Sequence, residues 1–466
     1  MSGVSINRWS AHPYYFINGE LDARVTRALT REMSYFVQGA ERSKKFKEGR
    51  WDGKECLLYK TKKGIYFFPV GMLDCVKRIF SDFDIEYFVQ DITLEDVRKR
   101  YKPLGMTWTG HELRDYQKKA VREIQESGGG TIFLPTGAGK TLVMLRLIYE
   151  YNLPCLIIVH TKELLYQWEK NIKACFNGRI PGLIGDGHLQ WDPVTVAMVQ
   201  TLSQKIVKDK MDNIDYPILC VDETHHAPSN TVYMVAMHTN SPCRIGASAT
   251  PTRVDGAEKK IWAATGEIKT TVSAEELIDS GVLARPSFVF LTPPPMSVGR
   301  SAHYADAYTQ AIVINEERNN LIIKKAIEFS KRGDTVYVHV SRIDHGEILS
   351  ERIPGSVFLC GKDNTTKRQG ILNKYNKGDI KVLVSTLLGE GCDVPRIDSF
   401  IAASGGKSEI GTIQRAGRAL RTTDKKKTAT IVDFRDSGRW FGDHWQDRYN
   451  TYKKTYGDCV PDVGQS

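Results

Sequence analysis

Residues 131–141 read TIFLPTGAGKT: a short apolar run breaks at Pro135 into a turn built on Gly137 and Gly139, then closes on Lys140-Thr141. The next ten residues, LVMLRLIYEY (142–151), continue with helical periodicity. A strand that stops in a glycine-rich turn and restarts as a helix gathers backbone N–H groups and a helix N-terminus around one point, which is a cradle for phosphate. In such a cradle Thr136, Gly137, Ala138 and Gly139 surround the phosphates, Lys140 reaches the terminal ones, and Thr141 offers a hydroxyl to Mg²⁺. The general pattern wants Gly at position 134, where this chain has Leu134; Gly137 supplies the second flexible residue.

Outward from this point the same strand, turn and helix unit recurs. CLIIVH (155–160), VTVAMV (194–199), ILCV (218–221) and CRIGAS (243–248) follow it, and a second series comprises TVYVHV (335–340), SVFLC (356–360), KVLVST (381–386), SFIAAS (399–404) and TATIVDF (428–434). Buried β-branched runs alternating with helical periods predict parallel sheets, and two series predict two α/β lobes. Between the series, ARPSFVFLTPPPMSVGR (284–300) carries Pro293, Pro294 and Pro295, which predict an irregular linking segment. The first 105 residues differ, with short aromatic runs such as LLYK (57–60) and GIYFFPV (64–70), and predict a small α+β domain. The expected organisation is therefore 1–105, 106–280 and 281–466, the last ending in a helix.

ILCVDETHH (218–226) delivers two acids from the end of a buried run. A nucleotide hydrolase needs one carboxylate to hold Mg²⁺ through water and a second to orient or deprotonate the attacking water. Asp222 and Glu223 suit those roles, beside Lys140 and Thr141. His225 reads as a residue coupling across the site and His226 as a bystander, since no third His or Cys stands nearby at ligand spacing.

The chain has 466 residues, 65 Lys and Arg against 55 Asp and Glu, and a net charge of +10, which suits a polyanionic partner. Nine scattered cysteines without a CxxC pair predict reduced thiols in the cytoplasm rather than a disulfide framework or zinc ribbon. No apolar run has the length of a membrane span and the N-terminus has no apolar leader core, so no membrane partner is expected. From Arg42 to Lys63, nine Lys and Arg face three acids, with Phe46, Trp51 and Tyr59 interleaved. Lys44, Lys45, Lys47, Arg50 and Trp51 suit a nucleic-acid backbone with base or sugar contacts. The same stretch also reads as a solvated basic hairpin with Trp51 in the core.

Taken together, LRDYQ (113–117), PTGAGKT (135–141), VHTKELLYQW (159–168), VQTL (199–202), DETH (222–225), SAT (248–250), VHVSRIDHG (338–346), VSTLLGEGCDVP (384–395) and QRAGRALR (414–421) resemble, in order, the motifs of superfamily 2 helicases of the DExH type. The resemblance covers about residues 111–435 and implies two tandem RecA-like lobes hydrolysing ATP with Mg²⁺. It implies adenine recognition by Gln117 with Arg114 nearby, ribose contact by Asp393, and coupling through His225, Ser248 and Thr250. Arg418 and Arg421 would approach the γ-phosphate and Gln414 the attacking water. Thr161, Lys162, Gln200, Thr201, Ser341, Arg342 and Thr386 would touch the nucleic-acid backbone.

FKEGRWDGKECLLY (46–59) and the tail VDFRDSGRWFGDHWQDRYNTY (432–452) further resemble phage recombination helicases of the UvsW type. In the tail His444, Arg448 and Tyr452 fall on one helical face, whose simplest use is packing on the second lobe. The resemblance implies a monomeric ATP-driven DNA helicase that remodels forked or branched duplex DNA in replication, recombination or repair, alongside proteins of those processes. An RNA helicase or RNP remodeller, a nucleotide-switched clamp, and a restriction motor subunit are the alternatives.

Overall fold

The computed structural model describes residues 4–8, 12–37, 39–209, 214–224, 230–249, 258–295, 303–387, 396–422 and 426–463. Two compact units divide the chain: 1–134 with 139–271, and 135–138 with 272–466.

The first unit contains an eight-stranded sheet in the order His188–Leu189, Gly182–Gly185, Val194–Met198, Cys155–Val159, Ile218–Asp222, Cys243–Ser248, Gly130–Phe133, Ile268–Thr271. Neighbours are parallel except in the edge hairpin of the first two. Cys155–Val159 and Ile218–Asp222 are buried at every position, which explains their unbroken apolar sequence. The register sets Asp222 opposite Ala247, Ser248 opposite Phe133 and Met198 opposite Val159, so the strands end together along one carboxyl edge. In open α/β sheets that edge is where ligands bind.

The N-terminal residues build a five-stranded sheet, ordered Tyr59–Lys60, Tyr66–Pro69, Tyr14–Asn18, Val4–Asn7, Tyr87–Gln90. The helix Ala23–Met33 buries Val25, Leu29 and Met33, spaced four apart on one face, and is capped by the Asp22 carboxylate. This domain does not stand apart within its unit. Its core includes Ala263, with Tyr233 and Trp262 packed against it. Arg78 forms a bidentate ion pair with Glu267 at 2.6 and 2.8 Å, and Lys269 meets Asp74 at 2.5 Å. A Cβ on Gly71 would fall 1.8 Å from the Trp262 carbonyl oxygen, so glycine permits this close backbone approach.

The second unit holds a six-stranded parallel sheet, ordered Arg285–Leu291, Thr428–Phe434, Ser399–Ala402, Val336–His339, Val382–Ser385, Ser356–Leu359. Here one expectation is corrected. Residues 285–291, expected to be irregular, form an edge strand paired along its whole length with Thr428–Phe434. The three prolines follow the strand instead of breaking it, and Pro286 is tolerated on an edge. The strand's aromatic residues meet the C-terminal helix Phe441–Tyr456: Phe288 lies 4.9 Å from Tyr452 and Phe290 4.9 Å from Trp445, centroid to centroid. On that helix His444, Arg448 and Tyr452 are buried. Arg448 donates to both oxygens of the fully buried Asp433, and the Tyr452 hydroxyl donates to the same carboxylate at 2.9 Å. The face is structural.

Candidate active site

The strand Gly130–Phe133 leads into the glycine-rich turn, where Gly137 and Gly139 hold φ of +89° and +81°. Only glycine adopts such angles without strain. Lys140 then opens the helix Lys140–Tyr151, and Thr141 follows in its first turn. Gln117, buried on the helix Asp115–Ser127, accepts from the Arg114 backbone N–H at 3.0 Å. A Cβ on Gly139 would come within 2.5 Å of the Gln117 amide nitrogen. The base-reading candidates therefore sit directly against the phosphate turn.

Asp222 and Glu223 stand where Ile218–Asp222 ends, and the Lys140 ammonium lies 3.8 Å from the Glu223 carboxylate. Two observations mark this strand end as unusual. Glu223 takes a left-handed backbone, φ +50°, an unfavourable conformation for a residue with a long side chain. Asp222 is buried, and its carboxylate accepts from the Trp168 indole N–H at 2.8 Å and from the Glu223 N–H at 2.9 Å. Burial and the neighbouring Glu223 charge raise its pKa to about 6, opposed by the Trp168 hydrogen bond and the Lys140 charge. A buried carboxylate whose charge burial disfavours, placed at a strand end, suits a divalent cation held through water, with the Thr141 hydroxyl as the other donor. Trp168 is the residue the sequence reading missed: an indole on an amphipathic helix reads as core, and nothing local shows that it reaches a carboxylate 54 positions away.

Within the second unit, Gln414 and Arg418 lie on the helix Glu409–Ala419, with Arg421 just beyond its end. Arg418 is buried. The turn 135–138 belongs to this unit: a Cβ on Gly417 would meet the Thr136 side chain at 2.8 Å, and one on Gly137 the Arg421 side chain at 3.4 Å. Ala138 is buried. Ser248 ends the strand next to Asp222's and is buried. His225, His226, Thr250 and Asp393 lie outside the described residues.

The backbone-contact candidates fall on carboxyl edges. Thr161 caps the helix Lys162–Cys175, and Gln200, followed by Thr201 on the next helix, donates to the His160 carbonyl at 3.0 Å. Those two motifs are thereby side by side. In the second sheet Ser341 and Arg342 follow Val336–His339, and Thr386 follows its neighbour Val382–Ser385. Arg342 is tied to Asp344 and to the Thr309 hydroxyl. In the N-terminal domain Lys44, Lys45, Lys47 and Arg50 are exposed around the one-turn helix Lys44–Lys47. Trp51 is half-buried and donates to the Lys54 carbonyl at 2.7 Å. The loop is built on packed aromatics: Phe36 and Phe46 meet edge to face at 6.1 Å over Gly53.

Residues 110–253 match the family model of the type III restriction enzyme res subunit, and residues 317–423 that of the helicase conserved C-terminal domain. The chain is 28% identical over 412 residues to the DNA 3'-5' translocase XPB2 of Sulfurisphaera tokodaii, covering 78% of this chain and 91% of the relative. It is 23% identical over 461 residues to the ATP-dependent DNA helicase uvsW of Enterobacteria phage T4, covering 91% and 90%. Its fold is that of the DUF1998 helicase MrfA, solved bound to DNA, with a TM-score of 0.55 at 16% identity over 74% of this chain and 49% of that one. With both halves of a helicase core matched in order and two parallel-sheet lobes in place, the chain belongs to the superfamily 2 helicases and is an ATP-dependent enzyme.

Proposed function

We propose that this ATP-dependent DNA helicase remodels forked or branched duplex DNA, with its N-terminal domain as a second grip on the duplex. The observation that carries the reading is that the exposed Lys44–Arg50 loop is built on the same compact unit as Lys140 and Glu223. A basic loop rigidly tied to the ATP-binding lobe converts movement of that lobe into movement of bound duplex. Likeness over nine-tenths of its length to the phage T4 helicase, N-terminal region included, supports the same reading.

Within the site, Gly137, Gly139 and Lys140 bind and orient the triphosphate, and Gln117 with Arg114 reads the adenine edge. Glu223 takes the proton of the attacking water, and Asp222, through water, and Thr141 would hold Mg²⁺. When bound, the ion neutralises charge on the transferring phosphoryl group. Arg418 and Arg421 act on the γ-phosphate and Gln414 on the attacking water, Asp393 holds the ribose, and His225, Ser248 and Thr250 couple hydrolysis to movement. Thr161, Lys162, Gln200, Thr201, Ser341, Arg342 and Thr386 track the phosphate backbone. The enzyme acts as a cytoplasmic monomer.

The test is steady-state ATP hydrolysis by the wild type and Lys140→Ala on single-stranded DNA, blunt duplex, a fork, a four-way junction and an RNA duplex at fixed salt. Turnover should be abolished in Lys140→Ala and stimulated most by forks and junctions in the wild type. Equal stimulation by every nucleic acid, or stimulation mainly by RNA, would refute the branched-DNA assignment.

A further inference from the structure

At the amino edge of the first sheet, opposite the nucleotide turn, the N-terminal domain and the ATP-binding lobe form a half-open pocket of about 200 Å³. Four cationic side chains line it, Arg8 and Lys77 from the N-terminal domain and Arg244 and Lys269 from the lobe, against two carboxylates, Asp74 and Asp91. Arg8 and Arg244 are both buried, and they share one acceptor: the Ser241 carbonyl receives Arg8 at 2.8 Å and Arg244 at 3.3 Å. Arg244 donates further to the carbonyls of Thr239 and Ala264, and meets no carboxylate among the described residues. Asp74 is engaged by Lys269, and Asp91 by the Tyr15 hydroxyl with Arg8 at 3.6 Å. Lys77 has no partner among the described residues.

Two guanidiniums side by side repel each other; Asp91 at 3.6 Å balances Arg8, while carbonyl dipoles answer the Arg244 donors without cancelling its charge. Burial and the Arg8 charge accordingly push Arg244 down to about 9. A small anion would supply the countercharge that Arg244 and Lys77 do not find among the described residues. Each guanidinium retains N–H groups beyond those bonded to carbonyls, and guanidinium forks match the oxygens of a tetrahedral oxyanion. The volume lies below the roughly 300 Å³ of sites for drug-sized ligands and leaves room for phosphate and a few waters at about 30 Å³ each.

We propose that this pocket binds a phosphate-sized oxyanion through Arg8, Arg244 and Lys77, and that the bound anion clamps the N-terminal domain onto the ATP-binding lobe. The shared chemistry has two sources, free phosphate and the terminal phosphate of a DNA strand.

The test uses the full chain with its nucleotide turn filled by a non-hydrolysable ATP analogue and Mg²⁺. Inorganic phosphate is titrated at constant ionic strength and followed by calorimetry and thermal unfolding. Saturable binding with a rising Tm is expected. Lys77→Ala should weaken it about tenfold, the loss of one charged hydrogen bond, and Asp74→Asn, which frees Lys269, should tighten it several-fold. Absence of saturable binding, or equal affinity in the wild type and Lys77→Ala, would overturn the proposal. A duplex with 5′-phosphate ends competing with phosphate, while its 5′-hydroxyl counterpart does not, identifies the strand end as the source; failure of both to compete identifies the free anion. Equal competition by both would place phosphate on the general nucleic-acid surface and overturn the proposal.

Discussion

Replacing Arg448 by Met tests whether the tail helix is architecture or a nucleic-acid contact. Asp433 is fully buried and Arg448 nearly so, with guanidinium nitrogens at 3.0 Å from both carboxylate oxygens. Without Arg448 the carboxylate keeps the Tyr452 hydroxyl at 2.9 Å and the Phe434 N–H at 2.6 Å, but no countercharge at bonding distance among the described residues. The carbonyls of Gly406 and Phe434 also lose their donor. Removing one partner of a buried pair costs about 3–5 kcal/mol. With a urea m-value of about 3 kcal/mol/M, the transition of the second unit should fall by about 1–1.7 M. Arg448→Met with Asp433→Asn should recover much of this, because no buried charge is stranded, giving a coupling energy of about 2–3 kcal/mol. Urea unfolding followed by tryptophan fluorescence reads the wild type, Arg448→Met, Asp433→Asn and the double variant, and DNA affinity measured well below the transition should not change. A loss under about 1 kcal/mol, additive effects in the double variant, or a selective loss of DNA affinity would refute the structural reading.

Three further outcomes are expected. Burial lowers the Lys426 pKa from its ordinary 10.5 to about 8; between those values the unfolded chain holds a proton that the folded chain lacks, so stability rises with pH across that window. Urea unfolding from pH 7.5 to 10.5 should show wild type gaining on Lys426→Met by up to about 3 kcal/mol, and parallel curves would contradict the assignment. Trp168→Phe removes the indole N–H that holds the Asp222 carboxylate, so the Mg²⁺ concentration for half-maximal ATP hydrolysis should rise roughly tenfold; an unchanged Mg²⁺ titration would show that the bond does not matter. Gly71→Ala forces a Cβ to within 1.8 Å of the Trp262 carbonyl, so cleavage between the N-terminal domain and the lobe should accelerate in limited proteolysis, and wild-type resistance would show that the interface yields elsewhere.

The close docking of the N-terminal domain also bears on how its role is tested. Its core is shared with Ala263 and flanked by Tyr233 and Trp262, so removing residues 1–105 would uncover apolar surface of the ATP-binding lobe. Charge substitutions at Lys44, Lys45, Lys47 and Arg50, all exposed, leave that core intact and isolate the duplex grip.

The sequence by itself determined the features whose physics is local. A phosphate turn is specified by glycines and a lysine within eleven residues, since its geometry is set by a few backbone angles. The strands were legible because strands buried on both faces must be apolar throughout, and the second sheet matches its expected runs to within a residue or two at each end. Tertiary structure decided what depends on residues far apart in the chain. Residues 285–291 became a strand because Phe288 and Phe290 found the C-terminal helix and Thr428–Phe434 supplied the ladder. The hydrogen bond from Trp168 to Asp222 and the meeting of Arg8 with Arg244 at the Ser241 carbonyl exist only in the folded sheet. Local propensity carries no information about a partner tens or hundreds of residues away; only burial brings such groups together, and only there do their charges become strong enough to shape a site.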